Sequence, residues 1–255
     1  MNRFKPLKFG VLLLLSFVLV TPTSAAEIKA FFPGAMRTAL AELLPQFEQS
    51  SGHKVVPSYG PVGSIVDRLK NGDKADLVVV SDSALADLIA QGKIMPQSHA
   101  TVAMLGIGIF MRKGAVKPEI GSVDAFKRAL LTAKAVAYKD PTVGDSSAIF
   151  ARDLLERLGI AAEMKSRTKV VAPAEIIGAV VSGDAEIGFD QMSNVAADPR
   201  VEPIGVLPSG IQHYTNYAGG IGTGSMQQEA ATALINFLRT SASQALMKQR
   251  GFEPL

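Results

Sequence analysis

Short apolar segments alternate with amphipathic segments along most of the chain, and this alternation limits the possible folds more than any single motif does. The apolar run "LVVV" at 77–80 is typical of a buried strand, and 35–49 has helical spacing, with Leu40, Leu43 and Phe47 on one face. Strands that alternate with helices in this way favour parallel sheets. The sequence therefore predicts an α/β protein with mostly parallel sheets.

The first 26 residues have the pattern of a secretory signal peptide. Basic residues precede an apolar stretch at 9–20, and small residues follow up to Ala26. The stretch is shorter than the ~20 residues that span a bilayer, and an uncleaved N-terminal anchor is the alternative. We expect export to the periplasm and a mature part that begins at residue 27.

Charge and composition exclude several classes of function. The chain has 26 Lys and Arg against 23 Asp and Glu, and three of the bases lie in the predicted signal peptide. The mature part is therefore close to neutral, and we expect no nucleic-acid partner. Because the chain contains no Cys, and because His53, His99 and His213 lack the spacing of metal ligands, we expect neither a metal site nor a cofactor.

Arg37 is the first candidate for ligand binding. Ligand sites of α/β folds form where strands end and helices begin, and Arg37 lies at such a point in "FFPGAMRTAL" (31–40). The helix dipole disfavours a cation in the first turn of a helix. A bidentate contact with a carboxylate would explain this arginine, and an exposed surface side chain is the alternative. The backbone at Ala35 and Met36 would add N–H donors.

The loop "YGPVGSI" (59–65) is the second candidate. It lacks the spacing of a phosphate-binding P-loop. Tyr59, Val62, Gly63 and Ser64 are its candidate ligand contacts. A plain strand-to-helix turn in which the serine caps the helix is the alternative.

The middle of the chain offers donors from the opposite side. In "DPTVGDSSAIF" (140–150), Thr142, Ser146 and Ser147 stand at a predicted helix start, where N-capping by Asp145 or Ser146 is the alternative.

Two later loops complete the candidate set. Ile177 lies near the start of a predicted helix, with its N–H available to a ligand, and Asp190 and Gln191 end a strand. Asp190 is either a general base or, as we favour from sequence, the cap of the next short helix.

Several segments together resemble one protein family, the periplasmic molybdate-binding proteins, which are type II solute-binding proteins of ABC importers. The resemblance covers nearly the whole mature chain and includes "LLPQFEQSSGHKVVPSYG", "ADLVVVSDSALADLIAQGKI", "YKDP", "LLERLGI", "APAEIIGAVVSGDAEIGF" and "KQRGFEP". It implies two lobes, 27–104 with 209–255 and the intervening 105–208, which close on a ligand. It also implies a monomer that serves an inner-membrane ABC permease.

Three positions depart from the molybdate binders that the chain resembles. Those proteins hold the oxyanion with two loop serines and a tyrosine, and the matching positions here are Ala35, Val62 and Gln191. Each lost hydroxyl donor costs about 1.5–3 kcal/mol in a buried anion site. A small carboxylate is therefore expected to fit better than molybdate.

Two functions follow from this resemblance. The first is capture of a small anion, a carboxylate or a molybdate-like oxyanion, for import. The second is isomerisation of a tricarboxylic acid, because an aconitate isomerase outside the cytoplasm uses the same scaffold. In that case Arg37 would hold carboxylates, and proton transfer would fall to one of four residues: Asp190, His213, Tyr59 or Tyr214.

Overall fold

Nine strands and ten helices alternate along residues 25–205, 207–253 and 255, which are the part of the chain that the computed structural model describes. The strands are β1 (Glu27–Pro33), β2 (Lys54–Gly60), β3 (Leu77–Ser81), β4 (Ala100–Arg112), β5 (Val136–Lys139), β6 (Thr168–Val171), β7 (Ile187–Gln191), β8 (Val201–Gly205) and β9 (Tyr214–Ile221). The helices are α1 (Arg37–Ser51), α2 (Val62–Lys70), α3 (Asp82–Ala90), α4 (Val123–Thr132), α5 (Ser146–Arg157), α6 (Ala161–Met164), α7 (Ile176–Val181), α8 (Met192–Ala197), α9 (Gln228–Leu238) and α10 (Ser241–Gln249).

The sheet is built from two parallel halves joined by antiparallel crossing strands. Its order is β2-β1-β3-β9-β4-β7-β5-β6, and β8 also pairs with β4. β1 is parallel to β2 and β3, and β5 is parallel to β6 and β7. β9 and β4 are antiparallel to their neighbours because they carry the chain across and back. The predicted two-lobed α/β class is confirmed.

β4 belongs to both lobes. Its residues 100–106 pair with β9, and its residues 107–110 pair with β7. The predicted boundary between residues 104 and 105 falls inside this strand and stays a prediction, as does the one between residues 208 and 209.

Each lobe has its own hydrophobic core. Residues between 28 and 105, together with residues between 217 and 252, form two of the clusters, with Phe32, Leu40 and Leu234 fully buried. Residues between 107 and 211 form the other two. Each large side chain contributes about 1.5–3 kcal/mol on burial. Two separate cores allow the lobes to move as rigid bodies about the crossing strands.

Helix starts differ from the sequence predictions in two places that matter for the site. α1 begins at Arg37 after a 3-10 turn at Gly34–Met36, which is two residues later than predicted. α2 begins at Val62, with Pro61 before it, so Ser64 lies inside the helix and the predicted serine cap is wrong. Proline is common at helix starts, because an N–H group there has no partner within the helix and proline has none to leave unpaired.

Helix ends and the other predicted caps give a mixed outcome. α1 ends at Ser51, and Gly52, which follows it, has a left-handed φ of 74°. Asp145 caps α5 by accepting from the N–H groups of Ser147 and Ala148. The predicted cap by Asp190 is wrong, because α8 follows Gln191 and has no side-chain cap.

None of the described helices is long and apolar enough to cross a membrane. The predicted signal peptide, apart from its last two alanines, lies outside the described residues.

Candidate functional site

A cavity of about 440 Å³ lies between the two lobes, where loops from both halves of the sheet meet. Its size is within the range of ~300–1,000 Å³ that small-molecule sites occupy. The residues that line it include Ala35, Arg37, Tyr59, Val62, Lys139, Ser146, Ile177, Asp190, Gln191 and Tyr217. The cavity is therefore open to side chains from β1–α1 and β2–α2 on one side and β5–α5 and β7–α8 on the other.

Arg37 forms one wall of this cavity. As the first residue of α1 it is exposed, and its guanidinium carbon lies 4.2 Å from the centre of the Tyr59 ring. Such a cation–π contact fixes the planar guanidinium without using its N–H donors. Among the described residues Arg37 has no ion pair. Burial raises the pKa of the Tyr59 phenol, and the nearby Arg37 opposes that rise.

The opposite wall contains a buried ionic cluster of Lys139, Asp145 and Asp190. The Lys139 ammonium donates to Asp190 Oδ1 at 2.5 Å and to Asp145 Oδ2 at 3.3 Å. The side chains of Lys139 and Asp190 are 4% and 1% exposed. A charge pair this deeply buried is maintained only when further hydrogen bonds satisfy its remaining atoms.

The hydrogen bonds of Asp190 are unevenly distributed between its two oxygens. Oδ1 also accepts from the Gln191 N–H at 2.7 Å and from Asn194 Nδ2 at 3.0 Å. Oδ2 is buried and has no hydrogen-bond partner among the described residues. Most buried polar atoms in proteins are paired, and Asp190 is among the residues that line the cavity, so this unpaired oxygen is a candidate contact for a bound molecule.

The pKa values in the cluster follow from burial and charge. Burial raises the pKa of Asp190, Asp145 raises it further, and Lys139 opposes the rise. Burial acts to lower the pKa of Lys139, but the two carboxylates outweigh it, and the net shift is upward. Both groups therefore bind protons more tightly than they would in water.

Gln191 links the lobes behind this cluster. Its Nε2 donates to Ser146 Oγ at 2.7 Å and to the Tyr217 hydroxyl at 2.5 Å. Burial raises the pKa of Tyr217, whose ring is 1% exposed. A second link runs from Ser193 Oγ to the Ala35 carbonyl at 2.8 Å. The Nε2 group of Gln191 thus already has its hydrogen-bond partners within the protein.

A close glycine contact joins the lobes at the edge of the cavity. The N–H of Gly63 lies 3.4 Å from the carbonyl oxygen of Gly144. A Cβ on Gly63 would lie 2.7 Å from the Val143 carbonyl oxygen and 3.0 Å from the Gly144 Cα. The lobes can approach this closely only because neither glycine has a side chain.

The remaining candidates predicted from sequence lie outside the main cavity. Met36 is fully buried in a core, Ser64 is exposed, and the Thr142 hydroxyl donates a hydrogen bond to the Asp140 carboxylate. Gly63 forms the contact between lobes, and Ser147 donates to Asp145.

His213 and Tyr214 line a neighbouring cavity of about 680 Å³. The His213 ring stacks on Phe150 at 5.3 Å, and burial, with the nearby charge of Arg157, lowers its pKa. The four proposed proton-transfer groups therefore divide between two cavities, with Asp190 and Tyr59 in the first.

Sequence reasoning missed Lys139, Asn194 and Tyr217. Lys139 lies in the quoted "YKDP" segment, and a charged residue ending an apolar strand was a signal that it could face a site. Tyr217 lies in an extended segment, and nothing in its local pattern indicated that its hydroxyl meets Gln191.

Comparisons with known proteins agree with this fold. Residues 28–253 match the model of a family described as bacterial extracellular solute-binding protein. An aconitate isomerase from Pseudomonas sp. is 31% identical over 99% of this chain and 97% of its own length. The molybdate-binding protein ModA of Azotobacter vinelandii is 25% identical over 92% of this chain and 93% of its own. The structure of the A. vinelandii periplasmic molybdate-binding protein superimposes with a TM-score of 0.74 at 18% identity, covering 89% of this chain and 99% of that one.

Proposed function

The chain belongs to the family of bacterial extracellular solute-binding proteins, and from that premise we propose that it captures a small carboxylate anion between its two lobes. In this proposal it acts in the periplasm as a monomer and delivers the anion to an inner-membrane ABC permease. The family model matches residues 28–253, and the full-length similarity to a molybdate-binding protein supports a role in binding a solute.

One observation carries the proposal. Arg37 lies on the wall of the cavity between the lobes, held over Tyr59, with no carboxylate partner among the described residues. A guanidinium presents paired N–H donors whose spacing matches a carboxylate. A ligand carboxylate would supply the missing partner.

The lining of the cavity favours a carboxylate over molybdate. Ala35 and Val62 line it without hydroxyl groups, and the Gln191 amide is already bonded to Ser146 and Tyr217. Two missing hydroxyl donors would reduce the affinity for a tetrahedral oxyanion roughly 10²-fold or more. Arg37 and backbone N–H groups would then have to hold the oxyanion.

A thermal-shift panel of di- and tricarboxylates and oxyanions tests the proposal. A ligand at about 100 times its Kd stabilises the folded protein by roughly 2.7 kcal/mol, which corresponds to a shift of about 5–10 °C for a protein of this size. We expect a carboxylate to give the largest shift and to be recovered chemically unchanged. No shift with any member of the panel would refute the proposal.

Isomerisation of a tricarboxylic acid is a second candidate function. Two observations favour it: the full-length similarity to an aconitate isomerase, and the unpaired Oδ2 of Asp190, a residue that lines the cavity. In an allylic shift, an ionised Asp190 would remove a proton from the substrate CH₂ group, and the C–H electron pair would enter the allylic system. The same proton would return to the other end of that system, with Arg37 stabilising charge on a carboxylate.

NMR distinguishes the two functions. Incubation of the protein with cis-aconitate should produce the trans isomer if the second function holds, and Asp190→Asn should abolish the conversion. A protein that binds cis-aconitate and returns it unchanged after many hours is a binding protein only.

A further inference from the structure

The cluster of Lys139, Asp145 and Asp190 contains one cation and two carboxyl groups. The side chains of Lys139 and Asp190 are buried and that of Asp145 is partly buried, with exposures of 4%, 1% and 13%. If both acids were ionised, the cluster would carry an excess negative charge on the wall of a cavity that is to receive an anion. Burying an uncompensated charge is costly, and a group in that position takes up a proton instead.

The hydrogen bonds of the two acids differ. Asp145 Oδ1 accepts from the N–H groups of Ser147 and Ala148 at 2.9 and 3.2 Å and from the Ser147 hydroxyl at 2.5 Å. Its Oδ2 accepts from Lys139. Both oxygens of Asp145 therefore have donors, which is the arrangement that a carboxylate needs.

Asp190 has the opposite arrangement. Its Oδ1 accepts from the Lys139 ammonium, from the Gln191 N–H and from Asn194 Nδ2, whereas Oδ2 has no donor among the described residues. A neutral carboxyl group has one accepting oxygen and one O–H that needs an acceptor. The observed pattern fits that form, in which Oδ1 is the accepting oxygen, Oδ2 carries the proton, and a bound ligand supplies the acceptor.

The surroundings of Asp190 contain few other ionisable groups. Lys139 approaches from β5, Asp145 from the start of α5, and the neutral Tyr217 phenol from β9. On β4 its partner in register is Gly108, and α7 and α8 contribute no ionisable side chain. Burial is the main cause that raises the Asp190 pKa, and Lys139 and the hydrogen bond from Asn194 oppose the rise.

We propose that Asp190 binds the captured anion as a neutral acid, with its Oδ2 hydroxyl donating to an oxygen of the ligand, so that the complex holds one proton on Asp190 for each captured anion. This inference rests on the proposed capture of an anion. With Asp190 neutral, the cluster has no net charge and Arg37 leaves the cavity positive, which favours an anion. An ionised Asp190 would instead repel a ligand oxygen placed at Oδ2.

Calorimetric titration with trans-aconitate and, separately, molybdate between roughly pH 5 and 9 tests the inference. Above the pKa of Asp190 in the free protein, the affinity should fall about tenfold per pH unit, because the proton must be taken from solution. Asp190→Asn keeps a donor at the same position and should make the affinity independent of pH. Asp87→Asn, an exposed acid on α3, should keep the wild-type slope.

Carbon-13 NMR of the Asp carboxyl groups in the complex gives a second readout, with Asp190→Asn assigning the resonance. A protonated Asp190 in the complex supports the inference even if its pKa in the free protein lies above the titrated range. An ionised Asp190 beside a bound probe would overturn it, leave the capture of anions intact, and keep Asp190 available as the base of an isomerase. No binding of either probe or of any panel member would refute the proposed function and this inference together.

Discussion

Replacing Gly63 by alanine should weaken anion binding without destabilising the fold. The added Cβ would lie 2.7 Å from the Val143 carbonyl oxygen and 3.0 Å from the Gly144 Cα, both on the other lobe. Non-bonded heavy atoms are most stable at about 3.5–4.0 Å, so the lobes must separate by roughly an ångström. Overpacking of this kind costs about 1–3 kcal/mol, which corresponds to a rise in Kd of about five- to 150-fold.

The same substitution should leave the ligand-free protein as stable as before, or more stable. Gly63 lies in α2, and alanine is favoured over glycine in a helix by about 0.5–1 kcal/mol. Because the lobes have separate cores, they can open slightly and avoid the contact at little cost. The expected signature is therefore a higher Kd with an unchanged or raised melting temperature.

Gly178→Ala is the matched control for this experiment. Gly178 also lies in a helix, α7, but a Cβ there would have no heavy atom within 4 Å. Calorimetry should find wild-type affinity for Gly178→Ala and a clear loss for Gly63→Ala. Equal affinities for the two variants would show that the lobes do not need this contact to hold the ligand.

Three further predictions address charge. Arg37→Ala should raise the Kd for a carboxylate at least tenfold and leave the melting temperature unchanged. Arg239→Ala, at an exposed position in the same lobe, is the control and should change neither the Kd nor the melting temperature. If calorimetry finds wild-type affinity for Arg37→Ala, Arg37 is not part of the site. Asp190→Asn should stabilise the free protein, and this gain should grow with pH. The raised folded-state pKa of Asp190 contributes stability that is complete below the unfolded value near 3.8 and is lost as pH rises through the folded value, and the variant does not undergo this loss. Denaturant unfolding at acid and neutral pH measures the gain, and a gain that shrinks with pH would contradict the prediction. Lys139→Met should cost about 3–5 kcal/mol by leaving two buried carboxyls without a cation, and adding Asp190→Asn should recover part of that loss in the same unfolding assay.

Much of the fold was predictable because local patterns report it. The spacing of Leu40, Leu43 and Phe47 predicts a helix with one buried face, and that face packs into a lobe core. Gly52, which has a left-handed φ, directly follows that helix, and a glycine at this position is a helix stop signal visible in the sequence. Helix starts were less predictable, as α2 shows, since a turn of glycine and proline is compatible with more than one first residue.

The candidate site was only partly predictable. Arg37, Tyr59 and Ser146 were identified because they follow predicted strands, and all three line the cavity. Lys139 and Tyr217 were missed because their roles depend on partners in distant segments, 51 residues away for the bond from Lys139 to Asp190 and 26 residues away for the bond from Gln191 to Tyr217.

The sequence by itself determined the α/β class, the family, and the loops in which a ligand is to be sought, because periodicity, turn residues and strand-to-helix junctions are local properties. Only the tertiary structure decided that one carboxyl oxygen of Asp190 is unpaired, that Arg37 lies over Tyr59, and that Gly63 meets Gly144 across the cleft. These features arise from the register of paired strands and the approach of two lobes, which bring together residues whose separation along the chain carries no sign of their contact.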